Sequence, residues 1–238
     1  MLQMIKELPP LDKPKKIRIK FSKGGDLIYI SHLDLVRTMT RAIIRARIPV
    51  KYTEGYNPIP KLVFSTPLSI GCASVCEYLD IKIDREMSCN DIKNSLSKQF
   101  PGDMSVLDVY EPNTKFSDAV YSGYTIEIFD RSRDNSALEL LKECFSRSEI
   151  RIIKRSKSGD KEVDILPFVF SYDMKLTNRS LVFNTVLSSS SADYLNPEYV
   201  VNIIYDTLGL SKDDYASDCG YTITRTELYT KGCDNIFR

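Results

Sequence analysis

The order of elements in this 238-residue sequence predicts an α+β protein made of two tandem βαββαβ lobes with antiparallel sheets. Short segments that alternate charged and apolar residues, the period-2 pattern of half-buried strands, recur along the chain. Segments with apolar residues at helical spacing interrupt them twice in each half. A stretch without clear period, residues 112–120 with Pro112, reads as a linker between a first lobe at 13–111 and a second at 121–230.

Lys16–Phe21, K-I-R-I-K-F, is the first strand, and Gly24-Gly25-Asp26 is a turn. Ser31 reads as a helix N-cap with Asp34 as the acidic half of a capping box. That helix runs to Ala46, and Pro49 stops it. A short strand at Val50–Thr53, a loop at Glu54–Pro60 and strands at Lys61–Ser69 and Glu77–Asp84 follow. A helix at Asn90–Phe100 and a strand at Met104–Tyr110 complete the lobe. The order then recurs: strand Tyr124–Phe129, helix Ser136–Phe145, strand Glu149–Lys154, a turn at Ser156–Asp160, and a hairpin of Val163–Met174 with Ser180–Val186. Asn196 caps a helix from Pro197 to Leu208, where proline suits the first turn, and Tyr221–Tyr229 closes the sheet. Strand–helix–strands–helix–strand is the order of a ferredoxin-like fold.

The net charge of +1 conceals an asymmetry. Residues 1–100 hold 17 Lys and Arg against 10 Asp and Glu, a net of +7, and the remaining residues hold 16 against 22, a net of −6. A basic lobe beside an acidic one points to two different partners, the basic lobe suiting nucleic acid or another polyanion. No apolar run is long enough to cross a bilayer, and the first residues lack the basic-then-apolar order of a secretory signal. The expected setting is the cytoplasm, with no membrane partner.

The first helix carries Leu35, Met39, Ala42, Ile43 and Ala46 on one face and Arg37, Arg41 and Arg45 on the other. Like charges four apart on a helix repel by a few tenths of a kcal/mol per pair, and only Asp34 is near enough to offset the row. Phosphates would neutralise it. Between Lys13 and Lys61 lie 12 basic residues against Asp26, Asp34 and Glu54. Arg18, Lys20, Lys23, Lys51 and Lys61 are expected to extend the basic surface, provided Arg18 and Lys20 face away from the core. Single-stranded RNA is favoured over duplex DNA by analogy with sheet-and-helix folds of this size.

His32 is the sole histidine. At a helix start the neutral ring is favoured, which would suit a general base for metal-free RNA cleavage with Tyr29 or a lysine as helper. The alternative is a ring that satisfies backbone at the helix start. One histidine builds no His-rich metal site. Of the six cysteines only Cys72 and Cys76 are close; the third thiolate of a radical-SAM cluster would fall on Leu79, so the two read as small core residues on one face of a strand. There is no phosphate-binding glycine loop, no H-E-x-x-H and no G-x-S-x-G. No cofactor and no metal are expected.

Residues 30–81, I-S-H-L-D-L-V-R through E-G-Y-N-P-I-P-K to V-C-E-Y-L-D-I, together with V-D-I-L-P-F-V at 163–169 and T-R-T-E-L-Y at 224–229, resemble the radical-SAM-linked protein family. This is a domain of unknown function fused to radical-SAM proteins or encoded beside them. The resemblance singles out Ser31, His32, Asp34, Arg37, Glu54, Gly55, Asn57, Pro58, Pro60, Lys61, Asp164 and Arg225. Ile59 stands where the family usually has a histidine, which removes a second imidazole. The family's genomic company implies an RNA-maturation or RNA-modification setting and a radical-SAM partner. At the level of fold alone the chain is similar to CRISPR repeat-processing endonucleases, which pair two ferredoxin-like domains and can use a histidine without metal.

Three functions remain open on the sequence: an RNA-binding accessory to a radical-SAM partner, a metal-independent endoribonuclease using His32, and a protein–protein adaptor without nucleic acid.

Overall fold

The computed structural model describes residues 8–129, 134–154, 159–178, 180–190, 193–210, 220–231 and 236–237. Cys219, Cys233 and most of the expected turn at 156–160 lie outside these. The chain divides into two compact units, one ending at Phe116 and the other spanning Ser117–Phe237. Both are mixed α+β with antiparallel pairing.

In the first unit the elements are β1 (Pro10–Lys23), α1 (His32–Arg45), β2 (Val63–Phe64), β3 (Cys72–Arg85), α2 (Cys89–Ser97) and β4 (Met104–Tyr110). β1 pairs with β3 and β4, and β2 with β3, all antiparallel, so the strands run in the order β4-β1-β3-β2. Alternation along β1 sends Ile17, Ile19 and Phe21 to one face, where all three are fully buried with Leu35, Met39, Ala42 and Ile43 of α1 and Ile92 and Leu96 of α2. Each large side chain so buried contributes about 1.5–3 kcal/mol. This is the apolar stripe expected of the first helix, and Ala46 is buried with it. Ser31 caps α1: its Oγ accepts from the Asp34 amide at 3.2 Å and donates to Asp34 Oδ2 at 2.7 Å. Ser88 and Asp91 repeat the device on α2.

The end of α1 is unusual. Arg47 donates to the Ile44 carbonyl and Ile48 to that of Ile43, the paired bonds of a Schellman ending. The residue that turns the chain, Arg47, has φ 56°, where glycine is usual.

The second unit consists of β5 (Ala119–Phe129), α3 (Asn135–Phe145), β6 (Arg151–Lys154), β7 (Lys161–Asp164), β8 (Val169–Leu176), β9 (Ser180–Ser188), α4 (Glu198–Leu208) and β10 (Gly220–Thr230). Its main strands run β10-β5-β9-β8, all antiparallel, while β6 and β7 pair with each other as a ribbon. With the ribbon set aside, this repeats the first unit: the first strand lies between the fourth and the third, and the second strand lies beyond the third. Phe145 of α3 meets Phe183 of β9 and Tyr172 of β8, with ring centroids 4.9 and 5.2 Å away.

Four expectations are corrected. The strand expected at Lys61–Ser69 shrinks to Val63–Phe64, because Pro60 and Pro67 flank it and lack ladder donors. Val50–Thr53 makes only isolated bridges, Val50 to Ile83 and Tyr52 to Pro60. The long arm at Val163–Met174 is broken by a 3-10 turn at Leu166–Phe168. Ahead of that turn Lys161–Asp164 pairs with β6; only the part beyond pairs with β9. Residues 119 and 120, placed in the linker, already belong to β5. Cys72 and Cys76 are buried on β3, as expected of small core residues.

Candidate nucleic-acid interface

The face of the first sheet turned away from its helices carries charge in register. Lys16 lies opposite Lys82, Arg18 opposite Asp80, and Lys20 opposite Tyr78. Arg18 grips Asp80 through Nε to Oδ1 at 2.7 Å and Nη2 to Oδ2 at 2.9 Å, and Nη1 donates to Thr114 Oγ1 at 2.7 Å. Phe116 stacks over its guanidinium at 4.4 Å. Lys16 Nζ reaches the same carboxylate at 2.7 Å. Asp80 is thus committed to two cations. Lys61 and Lys82 have no acidic partner among the described residues, although like charges facing across strands are destabilising.

These lysines line a cleft of about 250 Å³ bounded by Lys16, Lys61, Lys82 and Lys115, by Val63, Ile81 and Phe116, and by the paired carboxylate of Asp80. The backbone sets their spacing: the Lys51 amide donates to the Lys82 carbonyl at 2.6 Å, and the Lys61 amide to the Lys51 carbonyl at 3.1 Å. Lys51 and Lys61 are therefore the two feet of the loop 52–60. That loop is closed by Thr53, whose amide donates to the Ile59 carbonyl at 2.8 Å and whose Oγ1 accepts from the Ile59 amide at 3.1 Å. Pro60 is buried, Gly55 takes φ +141°, and Glu54, Tyr56, Asn57 and Pro58 stand exposed at the tip. Glu54 meets Lys51 only at 3.9 Å.

The structure separates the sequence-predicted residues into groups. Arg37, Arg41 and Arg45 are exposed along α1. Arg37 donates to Asp34 Oδ1 at 2.9 Å and Arg45 to the Gln99 carbonyl at 3.2 Å. The Ser31 hydroxyl, and after it Arg37, hold the Asp34 carboxyl below its ordinary range. Lys51 and Lys61 belong to the cleft and its loop. Arg18 and Lys23 are corrected: both are buried, at 0% and 3% exposure, and lie off the surface they were expected to extend. Lys20 is half-buried, its Nζ 5.5 Å from the Tyr78 ring. Lys16, Lys82 and Lys115 were passed over as site candidates. The alternation of Glu77–Asp84 already put Lys82 on the face of Asp80, and that of β1 put Lys16 beside Arg18; Lys115 sat in a stretch read as linker.

His32 occupies the first position of α1, exposed, its ring edge-on to Phe64 at 5.3 Å between centroids. The recess beside it, which also takes in Lys23, Thr66 and Glu77, measures about 10 Å³, room for roughly one water. Asp164 holds a turn: its Oδ1 accepts from the amides of Ile150 at 2.9 Å and Leu166 at 3.2 Å. Arg225 is fully buried in β10. Among the described residues no group of three or more His, Cys, Asp and Glu is placed to hold a metal, and no helix is long and apolar enough to cross a membrane.

Residues 16–197, which include β1 from Lys16 onward, the loop and the cleft lysines up to Lys115, match a family described as uncharacterized protein conserved in bacteria, DUF2344. The chain belongs to the DUF2344 family. No curated protein matches this DUF2344 chain in sequence. Among solved structures, a Cbf5–Nop10–Gar1 complex aligns over 89% of the chain and 48% of its own, with 10% identity and a TM-score of 0.47. An H/ACA RNP bound to a substrate RNA containing 2′-deoxyuridine aligns over 96% and 50%, with 11% identity and a TM-score of 0.44. The DUF2344 chain spans about half the length of these chains. Likeness this low establishes neither a shared fold nor a shared ligand.

Proposed function

We propose that this DUF2344 chain is an RNA-binding accessory protein that works with a radical-SAM partner in RNA maturation or modification. The observation that carries the RNA reading is the cleft, where Lys61 and Lys82 stand exposed and Asp80, the acid of its wall, is already held by Arg18 and Lys16. Two ammonium groups held together at a sheet face are stabilised by bound phosphate. Arg37, Arg41 and Arg45 on α1 supply a second basic surface. The partner rests on the resemblance of residues 30–81 to the radical-SAM-linked family. In this reading each unit is a ferredoxin-like lobe, for which the common strand order is the support. The join falls near residues 112–120, and the acidic second lobe meets the protein partner.

The test is equilibrium binding of a single-stranded RNA to the full chain across a salt series. Affinity is expected to fall with a log–log slope of about −0.7 per phosphate neutralised. Lys61→Ala and Lys82→Ala are each expected to flatten it by about 0.7. Absence of binding, or binding indifferent to salt, would overturn the reading and leave a protein–protein adaptor.

A further inference from the structure

Three of the exposed apolar side chains of the first unit stand on one short loop. Tyr56 is fully exposed, Ile59 is 62% exposed and Tyr52 is 43% exposed. Single exposed apolar residues are ordinary on protein surfaces. Here, however, the backbone is already fixed, by the two bonds between Thr53 and Ile59, the Tyr52–Pro60 bridge and the prolines at 58 and 60. A stiff loop presents an aromatic ring with little entropy left to lose on binding. Its feet are Lys51 and Lys61, and the Lys51 amide is bonded to the carbonyl of Lys82, so ring and cleft share one stretch of backbone.

We infer that the loop 52–60 is a stacking platform on which Tyr56 receives an unpaired base, and that the ligand of the lysine cleft is therefore a single strand. This rests on the RNA reading above and narrows it. Lysines that take phosphates accept a duplex as readily as a single strand. A tyrosine face accepts only a base that has left its own stack, and it does so whichever base is offered. Glu54, the one acid on the loop, is exposed at the tip and leaves the phosphate track at Lys61 and Lys82 uncancelled.

The experiment compares a single-stranded RNA of about 12 nucleotides with its blunt duplex, titrated into the full chain and into Tyr56→Ala, Tyr56→Phe and the double variant Lys61→Ala/Lys82→Ala. Because Tyr56 is fully exposed, its replacement leaves the fold intact. Tyr56→Ala is expected to weaken single-strand binding roughly 5- to 150-fold without changing the salt slope, Tyr56→Phe to retain it, and duplex binding to be indifferent to both. The lysine variant is expected to weaken both RNAs and flatten the slope. If RNA binds but Tyr56→Ala holds the single strand as tightly as the parent, the platform is wrong and the RNA reading stands. If neither RNA binds, both fall together.

Discussion

Arg18 and Asp80 face each other across β1 and β3 and are joined through two parallel hydrogen bonds, with the guanidinium wholly withdrawn from water. The same carboxylate anchors Lys16 at the rim of the cleft. A residue that looked like a contact for an outside anion is instead the support of the site's floor.

Removing one partner of a buried pair costs about 3–5 kcal/mol where the other charge is left alone, whereas Asp80 keeps Lys16 at 2.7 Å. Arg18→Ala is therefore expected to lose less than that in urea denaturation, and Arg18→Lys to recover only part of the loss, because an ammonium cannot make the fork. Arg41→Ala, exposed on α1, is expected to stay within about 0.5 kcal/mol of the parent.

Arg47 turns the chain at the end of α1 in a left-handed conformation that costs a residue with a Cβ about 1–2 kcal/mol. Glycine avoids this but has more freedom to lose on folding. Arg47→Gly is expected to gain about 0.5–1 kcal/mol, measured by the same denaturation. A loss would mean that contacts of the arginine outweigh the strain.

Asp34 carries a pH dependence. Its carboxyl, hydrogen-bonded by Ser31 and Arg37, is held below the ordinary 3.8. The unfolded chain therefore takes up this proton first as pH falls. The contribution is whole above pH 3.8 and is lost below it, as pH drops through the lower folded value. Asp34→Asn lacks it, so the stability gap between parent and variant is expected to close on acidification. A gap that persists through this range would show that the carboxylate's charge is not what stabilises the cap.

His32 is expected to have no part in cleavage, its ring being packed edge-on against Phe64. RNA incubated in EDTA with the parent or with His32→Ala should remain intact on a denaturing gel. Cleavage by the parent that disappears in the variant would make the protein a metal-independent endoribonuclease.

Much of the first unit was legible because its signals are local. The stripe Leu35–Met39–Ala42–Ile43 and the alternation of β1 each fix a face within a few residues. The break at Pro167 was missed, although a proline inside an expected strand argues against it. The burial of Arg18 was not legible, because its partner is 62 positions away and period-2 alternation says which face a residue takes, not what covers that face. The cleft escaped for a related reason. Lys61, Lys82 and Lys115 are scattered in sequence and meet only through the pairing of β2 and β3 and the segment after β4. Asp164, singled out by resemblance, holds two amides at a turn, a role no sequence pattern announced.

In both units the main elaboration occurs at one point of the common strand order, between the first helix and the second strand: the loop rising from Lys51 and Lys61 in one, the β6–β7 ribbon in the other. The sheets are closed by other strands, and lengthening a connection costs only about 0.6 kcal/mol per doubling. This is the joint at which either unit carries an appendage without disturbing the order of its strands.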